Sequence, residues 1–97
     1  MSKPLFIFAE IKPKPEHFDE AKKAIIGILK QTRDEEGCRS FNLFNSPDQS
    51  TLYLFEEWDD QNALDEHYAK PYTAEVFKAY EDWLAEPPRI LPLDSVR

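Results

Sequence analysis

The hydrophobic residues near the start of the chain recur at every second position. Between residues 4 and 12 the side chains divide into two sets, Leu5, Ile7, Ala9 and Ile11 on one face and Phe6, Phe8, Glu10 and Lys12 on the other. This alternation predicts a β-strand with both faces covered near its start. Pro13 and Pro15 predict the end of the strand, because proline cannot donate a backbone hydrogen bond to a sheet.

The next hydrophobic residues follow a helical period. Those that would share one face are Phe18, Ala21, Ile25, Ile28, Leu29 and Thr32. The pattern predicts an amphipathic helix of about twenty residues, which begins near Pro15 because proline suits a first helical turn. Gly37 predicts the end of the helix, in the left-handed conformation that glycine adopts easily.

Two segments rich in Phe, Leu and Tyr follow, at residues 38–45 and 51–58. Pro47 and Asp48 lie between them and suit a type I turn, so the pair predicts a β-hairpin. Alternate positions of its second strand share a face, which contains Leu52, Leu54, Glu56 and Trp58. The sequence therefore places Glu56 on the same side of the sheet as Trp58.

Two helices and a last strand are predicted after the hairpin. Asp59 or Asp60 can cap the first helix, one side of which consists of Ala63, Leu64, His67 and Tyr68. Pro71 marks a break, and the apolar stripe of the next helix consists of Tyr72, Val76, Tyr80, Trp83 and Leu84. Residues 89–93 can form only a short edge strand, because Pro92 lacks a backbone donor.

The resulting order of elements is β-α-β-β-α-β. It predicts an α+β fold of the ferredoxin-like, split β-α-β type, in which a four-stranded antiparallel sheet has its helices on one face. The 97 residues leave room for a single domain, residues 1–97. Because the strands have large apolar residues on both faces, the face without helices is predicted to pack against a second subunit.

The composition argues against several partners and cofactors. There are 19 acidic and 12 basic residues, and the basic ones are scattered, so a nucleic acid is not expected to bind. No apolar run approaches the roughly 20 residues that cross a bilayer. Cys38 is the only cysteine and no secretory leader pattern opens the chain, which favours a cytoplasmic location. Motifs for phosphate or zinc binding are missing, so no metal is predicted.

The residue most suited to chemistry is His67, since its helical position between Leu64 and Tyr68 directs the imidazole toward the sheet. A buried neutral histidine can remove a proton from a phenol or an activated C–H group. The alternative is a histidine that only packs in the core. Glu56 is the second candidate, because an ionised carboxylate on an apolar face is costly unless it is paired. It can orient His67, bind a substrate hydroxyl or act as a base, or it forms an interface salt bridge.

Aromatic residues are numerous enough to build a pocket for a flat ring. The expected wall residues are Trp58, Phe6, Phe41, Tyr80 and Trp83. The hydroxyls of Tyr72 and Tyr80 are candidates to donate a hydrogen bond to a developing oxyanion. The simpler interpretation is that these rings only fill the core.

The segment of residues 54–72 resembles the central signature of the antibiotic biosynthesis monooxygenase family. It contains an acid, a spacer and an aromatic residue (Glu56, Glu57, Trp58), then a short acidic helix ending in His67, then Pro71 and a ring. The opening strand, the first helix and the link through Gly37 to Phe41 are also similar to this family. The resemblance therefore covers nearly the whole chain, and it implies a homodimeric ferredoxin-like α+β barrel in which two sheets pack face to face.

The resemblance also implies a reaction. Several members oxidise phenolic or quinol-type rings with molecular oxygen and use no metal or flavin cofactor. It implies His67 as base or hydrogen-bond partner, and Glu56 and Trp58 as pocket wall. Tyr72 stands where many relatives have a second His, so this chain departs from them at a position that can affect the substrate.

Other branches of the family give alternative functions. Haem-degrading relatives use an Asn on the first strand and a His on the last helix, and residues 4–12 and 71–85 contain neither. An isomerase of a phosphorylated signalling metabolite needs a cation for the phosphate, for which Arg39 and Arg89 are candidates. A dimeric module that binds a ligand without turnover also stays open.

Overall fold

Four β-strands and four α-helices occur in the computed structural model, which describes residues 3–96. They are β1 (Leu5–Ile11), α1 (Phe18–Ile26), α2 (Leu29–Arg33), β2 (Cys38–Asn45), β3 (Leu52–Trp58), α3 (Gln61–Ala69), α4 (Pro71–Trp83) and β4 (Arg89–Leu93). A 3-10 turn, Pro15–His17, precedes α1. Met1, Ser2 and Arg97 of the predicted 1–97 domain lie outside the described residues.

The four strands form one antiparallel sheet in the order β2-β3-β1-β4. Two central strands therefore have a neighbour on each side, and β4 lies at an edge, where the missing donor of Pro92 is tolerated. In the register of the central pair, Ile7 lies opposite Glu56 and Ala9 opposite Leu54. This arrangement confirms the predicted α+β ferredoxin-like fold.

The core lies between the sheet and the helices. Its strand residues include Ile7, Ala9, Ile11, Leu52, Leu54 and Trp58, and its helix residues include Phe18, Ala21, Ile25, Leu64 and Tyr80. All of these strand residues belong to one alternating set, as the period of two predicts. Within residues 3–96, none of the helices combines the length and apolar character needed to cross a membrane.

The prediction of one continuous helix after β1 is wrong. The chain leaves α-helical geometry at Gly27 and Ile28, where Ile28 has φ −110° and ψ 2°, and α2 then begins at Leu29. Gly27 is a poor helix former, so the helix is weakest there. α2 packs against β2, and Arg33 Nε donates a hydrogen bond to the carbonyl oxygen of Phe41, at 2.9 Å.

Gly37 has a different role from the one predicted. Its φ is not positive, so it does not end a helix in the left-handed conformation. A Cβ at this position would overlap the Cβ of Ala63 on α3. The Gly37 carbonyl also accepts a hydrogen bond from the Asp59 amide, at 2.9 Å. The absent side chain therefore lets the loop after α2 approach the start of α3.

The N-terminus of α3 is capped as predicted. Asp60 is the N-cap, and its carboxylate accepts a hydrogen bond from the Ala63 amide at 2.9 Å. This cap fixes where the helix begins, and so which residues face the sheet. Leu64 and His67 are the buried residues of α3.

Candidate active site

A cavity lies between the sheet and the helices that cover it. Its free volume is about 40 Å³, and it opens in part to solvent. The apolar lining residues are Ala9, Ile11, Ile25, Ile28, Phe41, Leu54, Val76, Phe77, Pro88 and Ile90, and the polar ones are Glu56, His67, Tyr68, Thr73 and Tyr80. A mostly apolar cavity with a few converging polar groups is typical of a small-molecule site.

His67 lies at one wall of this cavity and is only 3% exposed. The centroid of its ring is 4.7 Å from that of Trp58 and 5.7 Å from that of Phe41. Trp58 is fully buried behind the imidazole. These rings hold the imidazole in one orientation and restrict the access of water to it.

The hydrogen-bond partner of His67 is Glu35. Glu35 Oε2 lies 2.7 Å from His67 Nδ1, and both side chains are almost fully buried. In a neutral imidazole, an Nδ1–H group that donates to a carboxylate leaves the lone pair on Nε2. Among residues 3–96, no hydrogen bond reaches Nε2. Glu35, and not Glu56, therefore orients the ring.

Tyr72 belongs to the same hydrogen-bond network. Its hydroxyl donates a short hydrogen bond to Glu35 Oε2, the oxygen that also accepts from His67. Burial and the neighbouring carboxylate raise the pKa of Tyr72, so its hydroxyl stays protonated. Tyr72 does not line the cavity and lies in a groove between α1 and α4. The structure therefore does not place this hydroxyl where it can contact a ligand beside His67.

Glu56 faces the cavity from β3 and is 4% exposed. Its Oε1 accepts a hydrogen bond from Trp58 Nε1 at 2.9 Å. No donor within residues 3–96 forms a hydrogen bond with its second carboxyl oxygen. Burial raises the pKa of Glu56 to about 7, although the Trp58 bond acts in the opposite direction. A carboxyl group with this pKa can both donate and accept a proton near neutral pH.

Two tyrosines add hydroxyl groups to the cavity wall. Burial and the nearby Glu56 carboxylate raise the pKa of Tyr68 to about 12, and they raise that of Tyr80 further. Both phenols therefore stay protonated at neutral pH. In this state each hydroxyl can donate a hydrogen bond to a ligand bound in the cavity.

The predicted site residues do not all lie in the cavity. His67, Glu56, Phe41 and Tyr80 line the cavity, and Trp58 supports it from behind. Phe6 lies on the opposite face of the sheet, stacked on Phe55 with 6.2 Å between ring centroids, because β1 alternates its side chains. Trp83 lies in the groove between α1 and α4. The expectation that Phe6 and Trp83 share a pocket with His67 is therefore wrong for the isolated subunit.

Sequence reasoning missed several lining residues and the partner of His67. Thr73 and Phe77 recur at helical spacing with the predicted Val76 and Tyr80 on α4, so the period alone would have found them if Thr73 had replaced Tyr72 as the start of the stripe. Glu35 gave no such signal. It lies in an irregular segment, where nothing distinguishes it from the exposed Glu36.

The charge of the cavity wall limits what can bind. Among the described residues, those that line the cavity include no Lys or Arg. Arg39 forms ion pairs with Asp59 and Glu57, at 2.6 and 3.6 Å. Across residues 3–96, no group of three or more His, Cys, Asp or Glu side chains is arranged to hold a metal ion.

Comparison with known proteins gives one consistent family. The sequence profile described as "Antibiotic biosynthesis monooxygenase" matches residues 4–85. "Putative monooxygenase Rv0793" of Mycobacterium tuberculosis is 35% identical over 72 residues, which cover 74% of this chain and 71% of the relative. The solved structure of Rv0793 matches with a TM-score of 0.92 at 28% identity. This match covers 98% of this chain and 97% of the Rv0793 chain. The crystal structure of PA3566 of Pseudomonas aeruginosa matches with a TM-score of 0.93 at 26% identity. This match covers 100% of this chain and 98% of the PA3566 chain.

Proposed function

This chain belongs to the antibiotic biosynthesis monooxygenase family, and we propose that it oxidises a small phenolic or quinol-type ring with molecular oxygen, without a bound cofactor. One observation carries the proposal. The imidazole of His67, which contacts Glu35 through Nδ1, lines an apolar cavity together with the carboxyl group of Glu56. The similarity to a Mycobacterium tuberculosis protein that is named as a monooxygenase also supports this class of reaction.

The first step is proton removal. His67 Nε2 accepts the proton of the phenolic hydroxyl, and the imidazolium that results is paired with the buried Glu35 carboxylate. The phenolate is electron-rich enough to pass one electron to oxygen. The apolar wall excludes the water that would otherwise stabilise the anion and quench the radical pair.

The remaining steps form one carbon–oxygen bond and break the oxygen–oxygen bond. The phenoxyl radical and superoxide combine at a ring carbon that carries hydrogen, and the peroxide formed takes a proton. A base then removes the hydrogen of that carbon, the O–O bond breaks, and the carbon becomes a carbonyl group. A phenol and oxygen thus give a quinone and water, with one oxygen atom in each product.

Glu56 is suited to the proton transfers in these later steps. Its pKa of about 7 lets it supply a proton to the peroxide and accept one from the ring carbon. Tyr80 is a donor at the same wall, so it can hydrogen-bond the oxygen that develops negative charge. In this proposal Tyr80 and Phe41 bind the substrate, and Tyr72 takes no direct part in the reaction.

The isomerase alternative has less support. It requires a cation beside the phosphate of its substrate, and the described lining residues provide none. Arg39 is paired with two carboxylates, and Arg89 is exposed beside Glu10, Lys12 and Glu86 rather than in the cavity. An uncharged aromatic ligand fits this wall better than a phosphorylated one.

The proposal includes a homodimer and a cytoplasmic location. A second subunit would cover the aromatic face of the sheet, on which Phe6 stacks with Phe55 and Phe8 with Tyr53. The single Cys38 in this sequence forms no intrachain disulfide, which suits a reducing compartment.

The direct test is oxygen uptake with a panel of phenols and hydroquinones. We expect His67→Ala to lower the rate by about 100-fold or more, because a positioned general base contributes about 10²–10⁴-fold. His17→Ala is the matched control, since His17 pairs with Glu20 outside the cavity. Equal uptake by wild type and His67→Ala would contradict the proposal. Ligand binding by calorimetry without any product would favour the binding module instead.

A further inference from the structure

We propose that Glu35 is a positioning residue for His67, and that Tyr72 acts through Glu35 rather than on the substrate. The inference rests on the proposed function only in taking Nε2 of His67 as the atom that accepts the substrate proton. It gives a role to two side chains that do not line the cavity and are linked to it by hydrogen bonds through His67.

The contact between Glu35 and His67 fixes the tautomer of the imidazole. A neutral imidazole can carry its hydrogen on either nitrogen, and only the form with hydrogen on Nδ1 leaves Nε2 free to accept a proton. Glu35 Oε2 is 2.7 Å from Nδ1, and the two side chains are 8% and 4% exposed. Thr73 Oγ1 is the other group near Nδ1, at 3.5 Å, which is too long for it to compete.

Glu35 needs a partner of its own because it lies in the irregular segment between α2 and β2. Tyr72 supplies this partner, since its hydroxyl donates to the same oxygen that His67 uses. Gly37 allows the segment to approach α3, and its carbonyl is bonded to the Asp59 amide. The carboxylate is thus fixed from α4 by Tyr72 and by the backbone of its own loop.

The charge of Glu35 has a second effect. When His67 accepts a proton it becomes an imidazolium, and a buried carboxylate beside it stabilises that cation more than a neutral acceptor does. A carboxylate that orients a histidine and stabilises its charged form is a recurrent arrangement in enzymes. Different substitutions at residue 35 can therefore separate the effect of the His67 tautomer from the effect of the Glu35 charge.

The tautomer is measured by ¹⁵N NMR of the imidazole nitrogens, at a pH where the ring is neutral. The chain has two histidines, so His17→Asn assigns the signals of His67. We expect wild-type His67 to carry its hydrogen on Nδ1. Glu35→Leu, which removes the acceptor, should move hydrogen toward Nε2, and Glu35→Gln, which keeps an acceptor oxygen, should restore the wild-type tautomer. Glu36→Leu, at the exposed neighbouring position, should change nothing.

The same variants separate position from charge in the oxygen-uptake assay. We expect Glu35→Leu and Glu35→Gln both to lower kcat, by about 10-fold or more, with little change in KM because Glu35 does not line the cavity. Tyr72→Phe should lower kcat less, since it removes only the bond that holds Glu35. A far-ultraviolet circular dichroism spectrum that matches the wild-type spectrum confirms that each variant is folded.

The outcomes are distinct. Hydrogen on Nε2 in the wild type, or a wild-type tautomer in Glu35→Leu, overturns the inference whatever the activity. If Glu35→Leu does not fold, the other two variants decide. Values of kcat equal to that of the wild type in both Glu35→Gln and Tyr72→Phe overturn the inference. The expected tautomer shift in a protein that consumes no oxygen supports the role of Glu35 and contradicts only the proposed function.

Discussion

The burial of Glu56 has a consequence for stability as well as for chemistry. The carboxyl group has a pKa of about 7 in the folded protein, against an ordinary value of 4.5. The folded state therefore binds more protons than the unfolded state between these two values. The stabilising effect of protonated Glu56 is fully present below pH 4.5 and is lost as the pH rises through about 7.

We predict that Glu56→Gln removes this pH dependence. The neutral amide keeps an acceptor for the Trp58 N–H but has no charge to bury. Relative to the variant, the wild type should lose up to about 3 kcal/mol of unfolding free energy between pH 5 and pH 8. Urea unfolding at the two pH values measures it. Glu57→Gln, on the other face of β3, is the control, and a parallel pH dependence in Glu56→Gln and wild type would show that Glu56 is not buried as described.

Prediction from sequence succeeded where a residue belongs to a regular element. His67 and Glu56 lie on faces fixed by the periods of α3 and β3, so their burial followed from spacing alone. Glu35 lies outside any helix or strand, and its approach to His67 depends on how two distant segments pack. No local pattern encodes that packing, so the sequence could not distinguish Glu35 from Glu36.

The first helical region shows the same limit among elements. Its apolar period continues from Phe18 to Thr32, and this continuity predicted one helix. The break at Gly27 and Ile28 interrupts the helix but keeps the side chains of the stripe buried on both sides of it. Ile28 then contributes to the cavity wall. Hydrophobic spacing reports which residues are buried, but not whether the helix between them is continuous.

We predict that Gly37→Ala destabilises the protein by about 1–3 kcal/mol, because the new methyl group overlaps Ala63. Ala63→Gly in the same chain should recover most of the loss, which a double-mutant cycle by urea unfolding measures. Gly27→Ala is the matched control. Gly27 has φ −64° and no such overlap, so alanine should be neutral there or stabilising by about 0.5 kcal/mol. Equal effects at the two glycines would argue against the close approach of the Glu35 loop to α3.

The sheet as a whole has two unlike faces. The helices cover one of them, and the other has aromatic rings from three strands, including Phe44 at 55% exposure and Phe55 at 41%. Leu93 adds to this surface from β4. Apolar patches of this kind in proteins mark interfaces, and a second copy with the same patch is complementary to it.

We therefore expect a homodimer at micromolar concentration, measured by size-exclusion chromatography with light scattering. Phe55→Glu should shift the protein to monomer, because it buries a charge in the interface. Ile26→Glu tests the specificity of the effect, since Ile26 is a similarly exposed apolar residue on α1. A monomeric wild type would rule out the packing of sheet against sheet, as would equal dissociation in both variants.

The cavity at His67 is proposed to catalyse the transfer of one oxygen atom from O₂ to a phenolic ring. The measurement that tests it most directly is turnover under ¹⁸O₂, with mass spectrometry of the product. We expect one labelled oxygen atom in the quinone and the other in water, at a rate that falls by about 100-fold or more in His67→Ala. An unlabelled product, or the same labelled yield from wild type and His67→Ala, would contradict the claim.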